Sequence, residues 1–304
     1  MDLRQLRYFT AVCEEESFSR AAQRLHMTQP PLSTTVAALE RELGIQLLNR
    51  VQHGVIPTEA GKLLALRAGQ ILRQTDELGA HLRGLGEGSE GHITIAAAPS
   101  FAWRYIPEMI RRFTQLAPRA SLTLLDPTPE IIVEEVLRGG AEVGAVVCPD
   151  LPLFTAQYAS SLHVLPVGEL PTLAVLPLSW EKGEEPVDVL ELRSLTWFLP
   201  EDNPRFPGLR RMAEDLWRSW GLEMPAIQEI ATLQTAMPLI AGGLGVAMMP
   251  ASIREHQLTQ ITTRPFLQAV PATTATLIWS KEVEPSPIAQ RFIDIATDLT
   301  RLPR

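Results

Sequence analysis

The chain has 304 residues, more than one ordinary core holds, so two domains or one two-lobed domain are expected. Its composition, 45% hydrophobic and 20% charged, excludes disorder, and its apolar runs at 93–99 and 170–178 fall far short of the roughly 18 residues of a membrane helix. The net charge of −8 argues against nucleic acid only as an average, because residues 1–89 balance ten basic against ten acidic side chains and 90–304 carry the whole deficit.

Leu3, Leu6, Phe9 and Val12 recur at helical spacing and predict a first amphipathic helix. Glu14, Glu15 and Glu16 stand where a secretory signal would have its apolar core, so a cytoplasmic protein is expected. Ser17 or Ser19 caps a short second helix presenting Ala21, Ala22 and Leu25. After a tight turn at His26-Met27, Thr28 is placed to cap a third helix. Pro30 and Pro31 sit in its first turn, where missing N–H groups cost little. Leu32, Val36, Leu39 and Leu43 form its apolar stripe, and Gly44 ends it in the left-handed region. Residues 45–48 and 55–56 flank a turn at Gln52-His53-Gly54 and read as a small hairpin, or wing.

Thr58 caps a fourth helix running to about residue 85. Leu64, Ile71, Leu78 and Leu85 make one heptad row and Ala68, Thr75 and Leu82 another, a seam that would pair with a copy of itself. Residues 84–91 are a Gly-rich linker. Gly86, Gly88 and Gly91 match the dinucleotide fingerprint in letters only, since they follow a helix and open a strand instead of the reverse.

From residue 92 strands alternate with helices: strand 93–98, helix 101–116, strand 122–125, helix 129–137, strand 143–148. That pattern predicts βαβ units and a parallel sheet. Residues 162–177 carry the chain into a second, similar set: strand 195–199, helix 207–220, strand 226–230, helix 232–241 and strand 246–249. Segments 258–266 and 273–279 lead back to a closing helix at 287–302.

The third helix carries the clearest chemistry. Gln29 and Ser33, four apart, share a face beside Thr34, away from the apolar stripe. Gln can pair with adenine and Ser or Thr with phosphates or base edges, so this face suits a helix in the major groove. Thr28 and the free N–H groups at the helix start can hold a phosphate, and Arg50 and His53 can reach the flanking backbone or minor groove. A solvated bundle face is the bland alternative.

At this point the chain resembles a known family. The run Leu3-Arg4-Gln5-Leu6-Arg7-Tyr8-Phe9 is followed by Ser17-Phe18-Ser19-Arg20-Ala21-Ala22-Gln23-Arg24-Leu25 and then Thr28-Gln29-Pro30-Pro31-Leu32-Ser33. Next come Ala38-Leu39-Glu40-Arg41-Glu42-Leu43-Gly44 and Pro57-Thr58-Glu59-Ala60-Gly61. In order and spacing these resemble the winged helix-turn-helix of LysR-type transcriptional regulators. The segment from Ala241 to Pro250 is similar to part of that family's effector domain. Two departures weaken fixed positive charge: Thr34 stands where a basic or amide residue is common, and His53 where an Arg often precedes the wing glycine.

The resemblance implies a mainly α winged helix-turn-helix at 1–58, a linker and dimerisation helix with hinge at 59–90, and an α/β two-lobed, periplasmic-binding-protein-like effector domain at 91–304. Lobe I would span about 91–162 and 268–304, lobe II about 163–267. It implies a small-molecule effector bound between the lobes, double-stranded operator or promoter DNA as target, self-association as a dimer or tetramer, and RNA polymerase as a further partner. No cofactor, metal or membrane is expected. Residue types at strand ends agree with a cleft. Ser100 and Thr128 open helices and favour an anion, typically the carboxylate of an organic acid, although both can serve as plain caps. Phe101 adjoins Ser100, Pro149 follows the third strand, Arg205 can pair with a carboxylate, and Phe198 or Phe206 can supply an apolar wall. Pro200 and Asn203 lie in the same loop, and Thr232 opens a helix on the other side.

No nucleophile–base motif, zinc signature or phosphate loop is present in the sequence, and the six histidines are scattered. An enzyme is therefore not expected. Cys13 and Cys148 read as buried free thiols. The rival reading is a small-molecule binding module whose N-terminal helices serve only for dimerisation.

Overall fold

The computed structural model describes residues 1–51, 54–180, 185–256 and 260–301, in two units, Met1–Arg83 and Gly84–Arg304. Helix α1 (Leu3–Glu15) opens on a reciprocal cap: the Asp2 carboxylate accepts from the Gln5 N–H and the Gln5 amide oxygen accepts from the Asp2 N–H. Ser17 caps α2 (Phe18–Arg24), and a turn through His26 at φ 55 leads into α3 (Gln29–Leu43). Phe9, Val12, Ala21, Ala22, Leu32, Val36 and Leu39 interlock as the core of this head. Two expectations need correction. Leu43 is 40% exposed and leaves the α3 stripe, and Thr28 occupies the cap position of α3 without a side-chain bond.

Strands β1 (Leu48–Val51) and β2 (Gly54–Pro57) pair antiparallel as the wing. The Glu40 carboxylate of α3 accepts from the N–H groups of Leu47 (2.8 Å) and Leu48 (3.1 Å) and fixes where the wing departs. Helix α4 (Glu59–Gly86) starts at Thr58, whose hydroxyl donates to the Gln46 carbonyl and accepts from the Gly61 N–H. A Cβ at Gly61 would fall on the Leu47 carbonyl oxygen, so glycine lets α4 start against the wing.

The second unit begins where α4 ends. Arg291 donates twice to the Glu87 carbonyl, at 2.9 and 2.7 Å, Gly88 turns at φ +65 beneath the Pro287 carbonyl, and Arg119 pairs at 2.7 Å with the buried carboxylate of Glu90. The chain then alternates: β3 (Glu90–Ala97), α5 (Pro99–Ala102), α6 (Ile106–Leu116), β4 (Arg119–Leu125), α7 (Pro129–Leu137), β5 (Val143–Cys148), α8 (Leu151–Gln157) and β6 (Leu162–Leu170). With the late strand β12 (Thr273–Ser280) these strands form a sheet of order β4-β3-β5-β12-β6. The closing helix α12 (Pro287–Thr300) and α6 cover one face, where Phe113 and Phe292 meet at 5.8 Å, and α7 covers the other. Every β5 residue is buried, as a strand covered on both faces requires.

The second lobe has β7 (Thr172–Pro177), α9 (Val189–Leu192), β8 (Trp197–Pro200), α10 (Leu209–Ser219), β9 (Ile227–Ile230), α11 (Leu233–Ala241), β10 (Ala247–Pro250) and β11 (Ile261–Pro265). Its sheets run β10-β7-β11 and β8-β9. Trp197, Trp217, Leu199 and Phe266 centre one core, Phe198, Ile230, Ile240 and Met249 the other.

Three expectations change here. The first lobe's sheet is mixed, with β3 parallel to β4 and β5 but β12 antiparallel to β5 and β6; in the second lobe β7 is antiparallel to both β10 and β11, and β8 is parallel to β9. Strand β6 completes the first sheet, so the chain crosses to the second lobe at 170–172 instead of 162–163. The helix expected at 101–116 breaks into α5 and α6, since Pro107 lacks the N–H that would continue it.

Candidate nucleic-acid interface and effector cleft

Burial of Leu32, Val36 and Leu39 turns the opposite side of α3 outward, leaving Thr28, Gln29, Pro30 and Thr34 exposed and Ser33 half-buried. The Ser19 hydroxyl donates to the Gln29 amide oxygen at 3.0 Å, which aims the amide nitrogen away from α2. The Thr34 hydroxyl donates to the Pro30 carbonyl, so it has only lone pairs to offer. Arg50 is exposed on β1; His53 lies outside the described residues; Thr58 is half-buried and spends its hydroxyl on the start of α4. The face therefore presents an amide, a small hydroxyl and, on the wing, a guanidinium, which suits base edges and phosphates.

On α4, Leu64 packs on the head's core and Ala68 is fully buried, so neither is free for a seam. Ile71, Leu78, Leu82 and Leu85 are exposed, as are Leu63 and Leu66, which the heptad rows did not include.

Between the lobes of the second unit the carboxyl ends of β3, β4, β5, β8, β9 and β10 converge on a cavity of about 80 Å³. Ser100, Thr128, Pro149, Pro200, Asn203, Phe206 and Thr232 line it. Three expected residues do not. Phe101 is fully buried and packs on Tyr105, Phe198 is buried in the second lobe's core, and Arg205 ion-pairs with Glu134. Gln157 and Tyr158 both donate to the Arg205 carbonyl, the latter at 2.6 Å, and hold that backbone against the first lobe, where the side chain meets Glu134 of α7. Phe206 crosses from the second lobe to meet Phe154 at 5.5 Å. Arg104 of the first lobe also pairs with Glu255 of the second, at 2.8 Å.

The lining also includes Glu130 and Glu201, which the sequence reading passed over. Glu130 stands two residues past Thr128, and the Thr128 hydroxyl donates to it at 2.5 Å. Ser100 is 6% exposed. Burial pushes the thiols of Cys148 and Cys13 up to about 12. Among the described residues no group of His, Cys, Asp and Glu is arranged to hold a metal ion, and no helix is long and apolar enough to cross a membrane.

A winged helix-turn-helix joined by a long helix to a clefted two-lobed unit defines a class, the ligand-responsive DNA-binding regulators. The chain belongs to the LysR family. Residues 3–62 match the family model described as bacterial regulatory helix-turn-helix protein, lysR family, and 86–301 match the LysR substrate binding domain. It is thus a LysR-type DNA-binding transcriptional regulator with an effector-binding domain. It is 29% identical over 302 residues to the HTH-type transcriptional regulator IlvR of Caulobacter vibrioides, covering 98% of each chain. To CatR of Pseudomonas putida it is 30% identical over 297 residues, covering 97% of this chain and 98% of that one. Among solved structures it resembles full-length CbnR complexed with its target DNA, with TM-score 0.80, 26% identity, and 99% and 100% of the two chains covered.

Proposed function

We propose that this regulator reads its operator through Thr28, Gln29, Pro30, Ser33 and Thr34 on α3 with Arg50 and His53 on the wing, and that a small organic acid in the cleft sets its activity. In this reading 1–58 is the DNA-binding domain, 59–90 the linker and dimerisation helix, and 91–304 the effector domain. The exposed polar face of α3, with Ser19 orienting Gln29, is the observation that carries it. The likeness to CbnR complexed with target DNA supports it.

Two chains pair through the exposed leucines of α4 and present two recognition helices to a two-fold-related operator, with tetramers and RNA polymerase as further partners. The protein acts in the cytoplasm and catalyses no reaction. The effector works by binding two arrangements of the lobes with different affinity. Gln29→Ala and Ser33→Ala should each weaken specific operator binding by about 1–3 kcal/mol in a mobility-shift assay and leave oligomer size unchanged. Wild-type affinity in both variants would sink the assignment.

A further inference from the structure

Resting on the reading of the cleft as the effector site, we propose that the effector is a zwitterion, a small α-amino acid. Its carboxylate meets the Ser100 hydroxyl and the start of α11, and its ammonium faces Glu130 and Glu201.

The charge of the lining carries the argument. Two carboxylates border the cavity, no Lys, Arg or His among the described residues lines it, and Arg205, in the loop that supplies Asn203 and Phe206, is turned to Glu134. A plain acid would enter against Glu130 and Glu201 with no cation to balance it. The two helix starts at the cavity also differ. Helix α7 already holds Glu130 in its first turn, so its positive end is compensated from within. Helix α11 has no acidic residue in its first turn, and Thr232 and Leu233 border the cavity there. Its first N–H groups have no helical acceptor. Ser100, a residue only 6% exposed, adds a hydroxyl on the cavity lining. Donors for an anion and acceptors for a cation thus face one small space. Apart from Thr128, Asn203 and Thr232, much of the remaining wall, including Val147, Phe206, Leu209 and Pro250, is apolar. At about 80 Å³ the cavity is roughly three water volumes at about 30 Å³ each, the scale of an amino acid with a short side chain.

The test uses the full-length protein in titration calorimetry. The probes are glycine, L-alanine, L-serine, L-valine and L-leucine, each beside its deaminated acid and its decarboxylated amine. At least one amino acid should bind roughly ten- to hundredfold more tightly than either truncated partner. Ser100→Ala should weaken that binding. Glu130→Gln with Glu201→Gln, isosteric changes at half-buried and exposed positions, should abolish the preference for the amine-bearing probe while the unliganded variant still unfolds cooperatively, its melting temperature lowered only by the loss of the charge at the start of α7. Acids that bind as well as the amino acids and depend on Ser100 would overturn the zwitterion and leave the cleft as the effector site. Binding indifferent to Ser100, or no binding across the panel, would overturn both.

Discussion

The Glu40 carboxylate on α3 accepts the backbone N–H of Leu47, a fully buried residue at the foot of the wing, and that of Leu48 beside it. One side chain of α3 thereby sets the departure of the strand that bears Arg50. Glu40→Ala leaves two N–H groups without their acceptor. Amide exchange at Leu47 and Leu48 should quicken by roughly ten- to hundredfold. Unchanged exchange would show that the wing is anchored elsewhere.

Gly61 stands where a methyl group would collide with the Leu47 carbonyl, a backbone atom that cannot swing aside. Gly61→Ala should destabilise the head by about 1–3 kcal/mol, read as an earlier melting transition by circular dichroism. Gly86, with open space around its Cβ position, is the matched control: Gly86→Ala should cost the fold nothing of that kind.

The Arg205–Glu134 pair bridges the lobes with 69% and 38% of its side chains exposed, so its share of global stability is within about 1 kcal/mol. Its effect should be local. Arg205→Ala and Glu134→Ala should each raise amide exchange in the 201–206 loop, and the double variant should add little to either. Additive effects would mean that the two side chains act separately.

Cys148 is buried, and its thiol is held up to about 12 against an ordinary value of 9.0. Above pH 9 the unfolded chain ionises this thiol while the folded chain keeps its proton. Stability therefore falls as pH rises, by at most about 1.4 kcal/mol per pH unit, until about pH 12. Denaturant unfolding between pH 8 and pH 10.5 should show this loss in the native chain and a shallower slope in Cys148→Ala. At neutral pH the thiol should resist iodoacetamide until the protein unfolds.

Periodicity made the head legible from sequence. The stripes of α1 and α3, the proline-marked start at Gln29 and the glycine stop at Gly44 are all local signals. The cleft was half legible, because strand ends followed by Ser100, Thr128 and Thr232 mark helix starts without any knowledge of distant contacts. What stayed hidden depended on partners far along the chain. Arg205 looked free until Glu134, 71 residues away, took it, and Phe198 looked like a wall until it was buried beneath one. Strand β6 reads the same whichever sheet it joins; only pairing with β12, itself late in the chain, assigns it to the first. Glu130 was overlooked for the opposite reason. A carboxylate in the first turn of a helix is so common that the dipole explains it without a ligand.

The clasp of Arg291 on the Glu87 carbonyl joins the beginning of the second unit to its end. Beginning and end are fastened side by side, so a single junction at Gly84 suffices to move the sensor onto a foreign reader. Exchanging heads while keeping the sensor is then a one-cut graft, and evolution could have shuffled such parts by recombination at this one seam.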